Sequence, residues 1–306
     1  MSDATADRGG VAAGPPPDAP HWPRISIVTP VRNSERFLDA AIRSVLDQGY
    51  PDLEYIVVDG GSSDGSVDII RRYEDRLAHW VSEPDPGMYS ALNKGFARAT
   101  GDVMGWLTAT DILHHGALRV VGSAFAQLPT VEWVTGIPTG LSEDGMTVSV
   151  GPLRRWSRGR FLLGANRYVQ QESTFWRRSL WERAGGRVDT ERERFSDFEL
   201  WLRFFRHAPL HPVRALIGGF RHHADSRWLL DRAGARRVSE DLIAAELGRV
   251  SSPAFRLLGQ ATHALRRMPG GGWIWDRTLA KLLHAVPGPD RPPALWHDGT
   301  RWRVGG

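Results

Sequence analysis

The sequence predicts an α/β protein built on βαβ units, with helices on both faces of the sheet. Two observations carry this. Short apolar, β-branched runs alternate with stretches of helical periodicity through the first 110 residues, the pattern of parallel strands joined by crossover helices. The chain is also long and apolar enough, at 306 residues and 41% hydrophobic, to bury a sizeable core.

The elements follow in order. Order is expected from about Arg24. Ile25-Ser-Ile-Val-Thr29 is a first buried strand, closed by Pro30. Phe37, Leu38, Ala41, Ile42, Val45 and Leu46 recur at helical spacing until Gly49-Tyr-Pro-Asp52 breaks the helix. Tyr55-Ile-Val-Val58 is a second strand, followed by the turn Asp59-Gly-Gly-Ser-Ser-Asp-Gly65 and a helix carrying Val67, Ile70 and Tyr73. His79 to Val81 is a weak third strand. A polar loop leads into a helix over about Tyr89–Ala99, and Val103 to Leu107 is a fourth strand ending in Thr108-Ala-Thr-Asp111. Beyond residue 130 the pattern loosens. Strands are expected at Trp133–Ile137 and Met146–Val150, a short helix and loop over Phe161–Tyr168, and strand or extended chain at Glu172–Trp176. Helices are expected at Ser179–Ala184 and Asp197–Arg206. Leu216–Phe220 reads as a strand. From Trp228 the chain reads as helical and basic toward Ala285, interrupted at Ser251-Ser-Pro253 and Pro269-Gly-Gly-Gly272. The last twenty residues carry no clear period.

Composition removes several classes of function. There is no cysteine, which excludes disulfides, thiolate-bound zinc, iron–sulfur clusters and thiol nucleophiles, and agrees with a reducing cytoplasm. No apolar run approaches the ~18 residues of a spanning helix. Met1 to Pro20 is acidic and rich in Ala, Gly and Pro, without the pattern of a signal peptide, and is expected to be a disordered tail. Lys94 and Lys281 are the only lysines among 39 basic residues, leaving 37 arginines. The net charge is only +4, and no nucleic-acid motif accompanies the arginines, so nucleic acid is not the expected partner.

In a sheet of this kind ligands bind at the carboxyl ends of the strands. The loops after Thr29, Val58, Val81 and Leu107 then share one rim, which gathers Asp59, Asp64, Asp85 and Asp111. The glycines of residues 59–65 do not make a dinucleotide fingerprint, because they follow the second strand and their acid precedes them. Asp59 admits two readings, a contact to a base or ribose and a turn that caps the next helix. Asp111 likewise reads as a ligand of a divalent ion on a diphosphate or as a cap. Asp197, at a helix start, reads as a cap or as a general base. His222-His223 reads as a surface pair or as a source of one ligand. The aromatics Trp156, Phe161 and Trp176, set among arginines, read as walls of an acceptor groove.

ISIVTPVRNSERFLDAAIRSVLDQGYPDLEYIVVDGGSSDGSVDIIRRYED, WVSEPDPGMYSALNKGFARATGDVMGWL, QQESTFWRRSLWERAGG, SDFELWLR and FRHHADS stand here in one order. Together they resemble the family 2 glycosyltransferases over about two-thirds of the chain. The resemblance implies the GT-A fold, a Rossmann-like mixed sheet flanked by helices, over residues 23–228. It divides this domain into a nucleotide-binding half, about 23–112, and an acceptor half, about 113–228. The tail 1–22 and a helical C-terminal extension, 229–306, lie outside it.

The resemblance also implies an inverting transfer from a UDP- or dTDP-type sugar to an acceptor hydroxyl, in polysaccharide, glycolipid or other glycoconjugate synthesis. Thr29, Pro30, Arg32, Asp59, Gly60, Asp85, Asn93, Lys94 and Asp111 match the donor side. Gln171, Glu172 and Trp176 match the sugar or acceptor side. Asp197 matches the catalytic base, with Glu199 as second candidate. Asp111 matches the last acid of a Mg²⁺ or Mn²⁺ motif, and His223 a later histidine offered as a further metal ligand. The family's usual acid at 110 is Thr110 here, and 108 is also threonine, which weakens the metal site. This departure leaves open a catalytically impaired nucleotide-sugar-binding protein or scaffold. The expected acceptor is a saccharide or a lipid-linked saccharide. The expected location is cytoplasmic, with the basic C-terminal region a candidate for peripheral contact with the inner face of a membrane.

Overall fold

A computed structural model describes residues 22–164, 168–192, 195–224, 232–268 and 292–305. The tail and the segment 269–285, expected to be disordered and helical respectively, lie largely outside these residues.

The four N-terminal strands form as the periodicity predicts: β1 (Ile25–Val31), β2 (Leu53–Asp59), β3 (His79–Ser82) and β4 (Val103–Trp106). Between them lie α1 (Glu35–Leu46), α2 (Ser66–Arg71) and α3 (Met88–Arg98). β1 runs one residue past Pro30. Its ladder with β4 stops at Val28, so a residue without an N–H is tolerated at the strand end. The two faces of the strands feed two cores. Ile25, Ile27, Tyr55 and Val57 pack under α1, while Val28, Ile56 and Val58 pack under α3. Gly95 lets α3 lie flush on β1, since a Cβ there would stand 2.4 Å from Val28 Cγ1.

The second half adds β5 (Ile112–Leu113), α4 (Ala117–Gln127), β6 (Trp133–Thr135), β7 (Thr139–Leu141), β8 (Thr147–Val150), α5 (Arg158–Leu162), β9 (Thr174–Arg177), α6 (Arg178–Arg183) and α7 (Ser196–His207). β10 (His211–Pro212) and β11 (Gly218–Arg221) follow. The main sheet has the order β10-β6-β9-β4-β1-β2-β3, with β9 antiparallel to both neighbours, so it is mixed. A second sheet, β5-β11-β7-β8, lies beside its rim. Glu172 to Trp176 begins as a 3-10 turn over Gln171–Ser173 and only then extends.

The expected groove aromatics are core. Trp156, Phe161 and Trp176 are at most 2% exposed, and Trp176 packs among Trp106, Trp201 and Phe204. Trp176 is therefore corrected from an acceptor-side residue to a centre of packing. Its strand position points it under α7 rather than into the rim.

The extension begins with two helices, α8 (Arg232–Leu247) and α9 (Pro253–Arg267). Its end is a hairpin, β12 (Leu295–His297) and β13 (Trp302–Val304), which the sequence pattern left without a period. Trp302 Nε1 donates to Ser123 on α4, and Leu295 bridges Val213, so the hairpin closes on the domain core. Among the described residues no helix is long and apolar enough to cross a membrane.

Candidate active site

The rim expected at the carboxyl ends of the strands is present. The turn after β1 and the loop after β2 are laced together. Asn33, at φ 49°, accepts from Ser63 N, and its own N–H donates to Ser62 Oγ. Arg32 donates to the Gly60 carbonyl at 3.0 Å. Asp59 is fully buried and accepts from Gly61 N, Ser62 N, Ser62 Oγ and Ser82 Oγ. Asp85 lies against Gly60, where a Cβ would stand 2.9 Å from its carboxylate oxygens. One Asp85 oxygen accepts from Gly87 N; the other is buried with no hydrogen-bond partner. Asp64 takes the capping role, accepting from Glu35 N and Ser66 N.

Three expected donor-side residues face elsewhere. The Thr29 hydroxyl is buried against Tyr55 Oη at 3.0 Å, because odd positions of β1 point into the α1 core. Asn93 spends its amide on the main chain of Val188, tying α3 to the loop ahead of α7. Lys94 pairs with Glu83 at 2.8 Å in a cavity at the β3 edge that His79 and Arg98 also line. Pro30 is buried at the strand end.

Asp111 is 2% exposed and held from two sides. Its Oδ1 accepts from Arg221 N at 2.8 Å and its Oδ2 from Thr108 Oγ1 at 2.6 Å. Burial pushes its carboxyl up to about 6, against the pull of those hydrogen bonds and of the Arg221 charge. Thr110 hydrogen-bonds Thr108 instead of supplying an acid. Arg221 was missed in the sequence. Its guanidinium donates to the carbonyls of Thr110 and Glu143 and lies over the Phe37 ring, so it latches the loop that carries Asp111. The only signal was its place in the FRHHADS motif. His223 packs its ring on Phe37 at 5.3 Å, with a buried Nδ1 that has no partner.

Glu172 is 3% exposed, and its Oε1 has no hydrogen-bond partner. Burial raises its pKa well above the ordinary range, and the nearby charges of Asp111 and Asp197 raise it further. Gln171 beside it donates to the Trp106 carbonyl at the end of β4. Asp197 stands in the first turn of α7, and burial raises its pKa. Phe195, two residues earlier, holds a left-handed φ of 63°, a strained conformation for a side chain of its size. Tyr89 sits at this helix start, its hydroxyl held above its ordinary pKa by burial and by the Asp197 charge. Glu199 points away. It pairs with Arg203 at 2.8 Å, and Arg203 also ties the carbonyls of Ala184 and Arg187, so the second candidate base is a structural clamp.

The rim thus has one side built by Arg32, Asp59, Gly60 and Asp85, and an acidic side where Glu172 feels the charges of Asp111 and Asp197. Residues 26–206 match the Glycosyl transferase family 2 model. The chain belongs to that family.

An uncharacterized glycosyltransferase of Mycobacterium tuberculosis is 34% identical over 170 residues, 54% of this chain and 62% of that protein. A putative teichuronic acid biosynthesis glycosyltransferase of Bacillus subtilis is 38% identical over 95 residues, 30% of this chain and 38% of that one. The chain thus spans under two thirds of the length of these curated relatives. Among solved structures, S. aureus TarS 1-349 in complex with UDP-GlcNAc aligns with a TM-score of 0.64 at 14% identity, over 83% of this chain and 76% of that one. A mannosyltransferase from Pyrobaculum calidifontis in complex with GDP-Man and Mn²⁺ aligns with a TM-score of 0.56 at 20% identity, over 90% and 81%. The fold is the GT-A fold.

The metal expectation fares differently. Among the described residues no group of three His, Cys, Asp or Glu side chains is placed to hold an ion. Asp111 keeps carboxylate lone pairs beyond its two protein hydrogen bonds. The residues present fit an ion carried in by a diphosphate, not a resident one.

Proposed function

We propose that this family 2 enzyme transfers a sugar, with inversion, from a UDP- or dTDP-type donor to a hydroxyl of a saccharide or lipid-linked saccharide. The setting would be polysaccharide, glycolipid or other glycoconjugate synthesis in the cytoplasm. The observation that carries it is Asp197, an acid with a raised pKa at a strained helix start, on the same rim as the Asp59–Gly60–Asp85 loops. A base poised nearer neutrality accepts a proton effectively at physiological pH.

In this reading the base and ribose lie against Asp59 and Gly60, with Arg32 and Asp85 at the edges. The Asp197 carboxylate takes the acceptor proton as the hydroxyl oxygen attacks the anomeric carbon. The bond from that carbon to the diphosphate oxygen breaks, and the nucleoside diphosphate leaves with the electron pair. Gln171 and Glu172 border the sugar. A divalent ion carried by the donor, with Asp111 as its protein carboxylate and His223 as a second candidate ligand, would neutralise the departing charge. The UDP-GlcNAc complex of TarS supports the donor class, and the teichuronic acid name of the B. subtilis relative supports the acceptor class.

Incubation with a panel of UDP-, dTDP- and GDP-sugars plus Mn²⁺ tests the reading. Release of nucleoside diphosphate from one uridine or thymidine donor is expected. Tight donor binding without release across the panel would make the chain a binding protein instead.

A further inference from the structure

Helix α9 is amphipathic in the wrong sense for a soluble surface. Its inward face is small or polar except for Phe255, which packs against the core at the start of the helix. Gly259 abuts Leu247 of α8 so closely that a Cβ would stand 2.4 Å from Leu247 Cδ2. Thr262 and Arg266 are buried beside it, and Arg266 faces Glu240 of α8 at 3.7 Å with both side chains at most 5% exposed. These contacts fix the rotation of the helix. Its outward face is therefore apolar. Ala254, Leu257, Leu258, Ala261, Ala264 and Met268 fall within an arc of about 120° at 100° per residue. All six are exposed, with Leu257 at 67%, Leu258 at 51% and Met268 at 61%.

The stripe is carried on a rigid mount. Glu246 of α8 is buried, and it pairs with Arg158 of α5 and Arg206 of α7, so α8 is bolted to the catalytic domain with α9 outermost. The surroundings are cationic. Residues 232–268 hold seven arginines and three acids, a net of +4. Two of those acids, Glu240 and Glu246, are buried in ion pairs. Arg249, just before the helix, and Arg267, at its end, stand 64% and 53% exposed, each paired with an acid of α8.

We propose that α9 is a docking surface for a bilayer with anionic headgroups. The apolar stripe enters the boundary of the acyl chains, and the flanking arginines lie at the phosphates. An apolar stripe on a segment of net charge +4 matches that surface better than it matches a second copy, which would bring the same net charge against itself. This would hold the rim of the enzyme near a lipid-linked acceptor, but the docking does not depend on the transfer reaction.

The test uses the full chain and vesicles of phosphatidylcholine with and without phosphatidylglycerol, read by flotation. Binding to the phosphatidylglycerol vesicles is expected, falling as salt rises. The double substitution Leu257→Glu with Leu258→Glu should lower it by about tenfold or more while leaving the thermal midpoint unchanged. No flotation of the native chain, or flotation indifferent to the two substitutions, overturns the proposal. So does a native dimer that the substitutions dissociate, since a second copy would then cover the stripe. A lowered thermal midpoint in the variant also overturns it, because residues 269–291 of the same chain would then cover the stripe.

Discussion

Asp59 and Glu172, on the two sides of the rim, treat their buried carboxylates in opposite ways. Asp59 is fully buried yet accepts four hydrogen bonds from its own loop and from Ser82. On the acidic side, Glu172 is equally buried with one oxygen unpartnered, and Asp111 and Asp197 raise its cost further. The first arrangement spends its acid on fixing a loop that a planar ring can approach. The second leaves acids that a proton, a cation or a hydroxyl would relieve. The difference is that between a fixed loop and a carboxyl left unsatisfied, which suit binding and proton transfer respectively.

Substitutions at each side test the contrast. Asp59→Ala strands several buried donors at once and should cost about 3 kcal/mol or more of stability, together with donor affinity. Thermal unfolding with and without UDP reads both. A loss under about 1 kcal/mol would mean the loop does not depend on its acid. Asp111→Asn should alter the pH dependence. The folded protein keeps a proton on Asp111 until about pH 6, while the unfolded chain releases it near pH 4. The folded state therefore binds more protons between those values, and native stability falls as pH rises through that window. The variant should remove this loss, about 3 kcal/mol across the window.

Glu172→Gln follows the same sign over a window that starts near pH 4 and runs higher. It should equal the native protein at pH 4 and exceed it in thermal midpoint at pH 8. Equal midpoints at both pH values would mean that Glu172 is not held protonated. The smallest effect is expected at Glu199→Gln, which loses a partly exposed ion pair worth about 1 kcal/mol and should leave transfer intact. Loss of transfer there would return Glu199 to the role of base.

Much of this was legible in the sequence because its signals are local. Strand–helix alternation from Ile25 to Leu107 fixed which loops share a rim, and the family motifs singled out Asp59, Asp111 and Asp197. Side-chain direction was not legible. Thr29 and Trp176 sit on strands at places near the rim, but the strand's period of two turns both into the core. Asn93 lies inside a motif, yet its amide serves a residue 95 positions away. The Arg221 latch and the Glu199–Arg203 clamp depend on which elements pack together, and no spacing records that. The C-terminal hairpin was unreadable for the same reason, since its strands are three residues long and are fixed by contacts with α4 and Val213.

Asp197 is the proposed base on which the transfer reaction turns. Turnover of a responsive donor and acceptor pair by Asp197→Asn, with UDP affinity measured on the same sample, tests it most directly. Transfer should fall at least about a hundredfold while UDP binds as it does to the native protein. Near-native turnover would contradict the assignment.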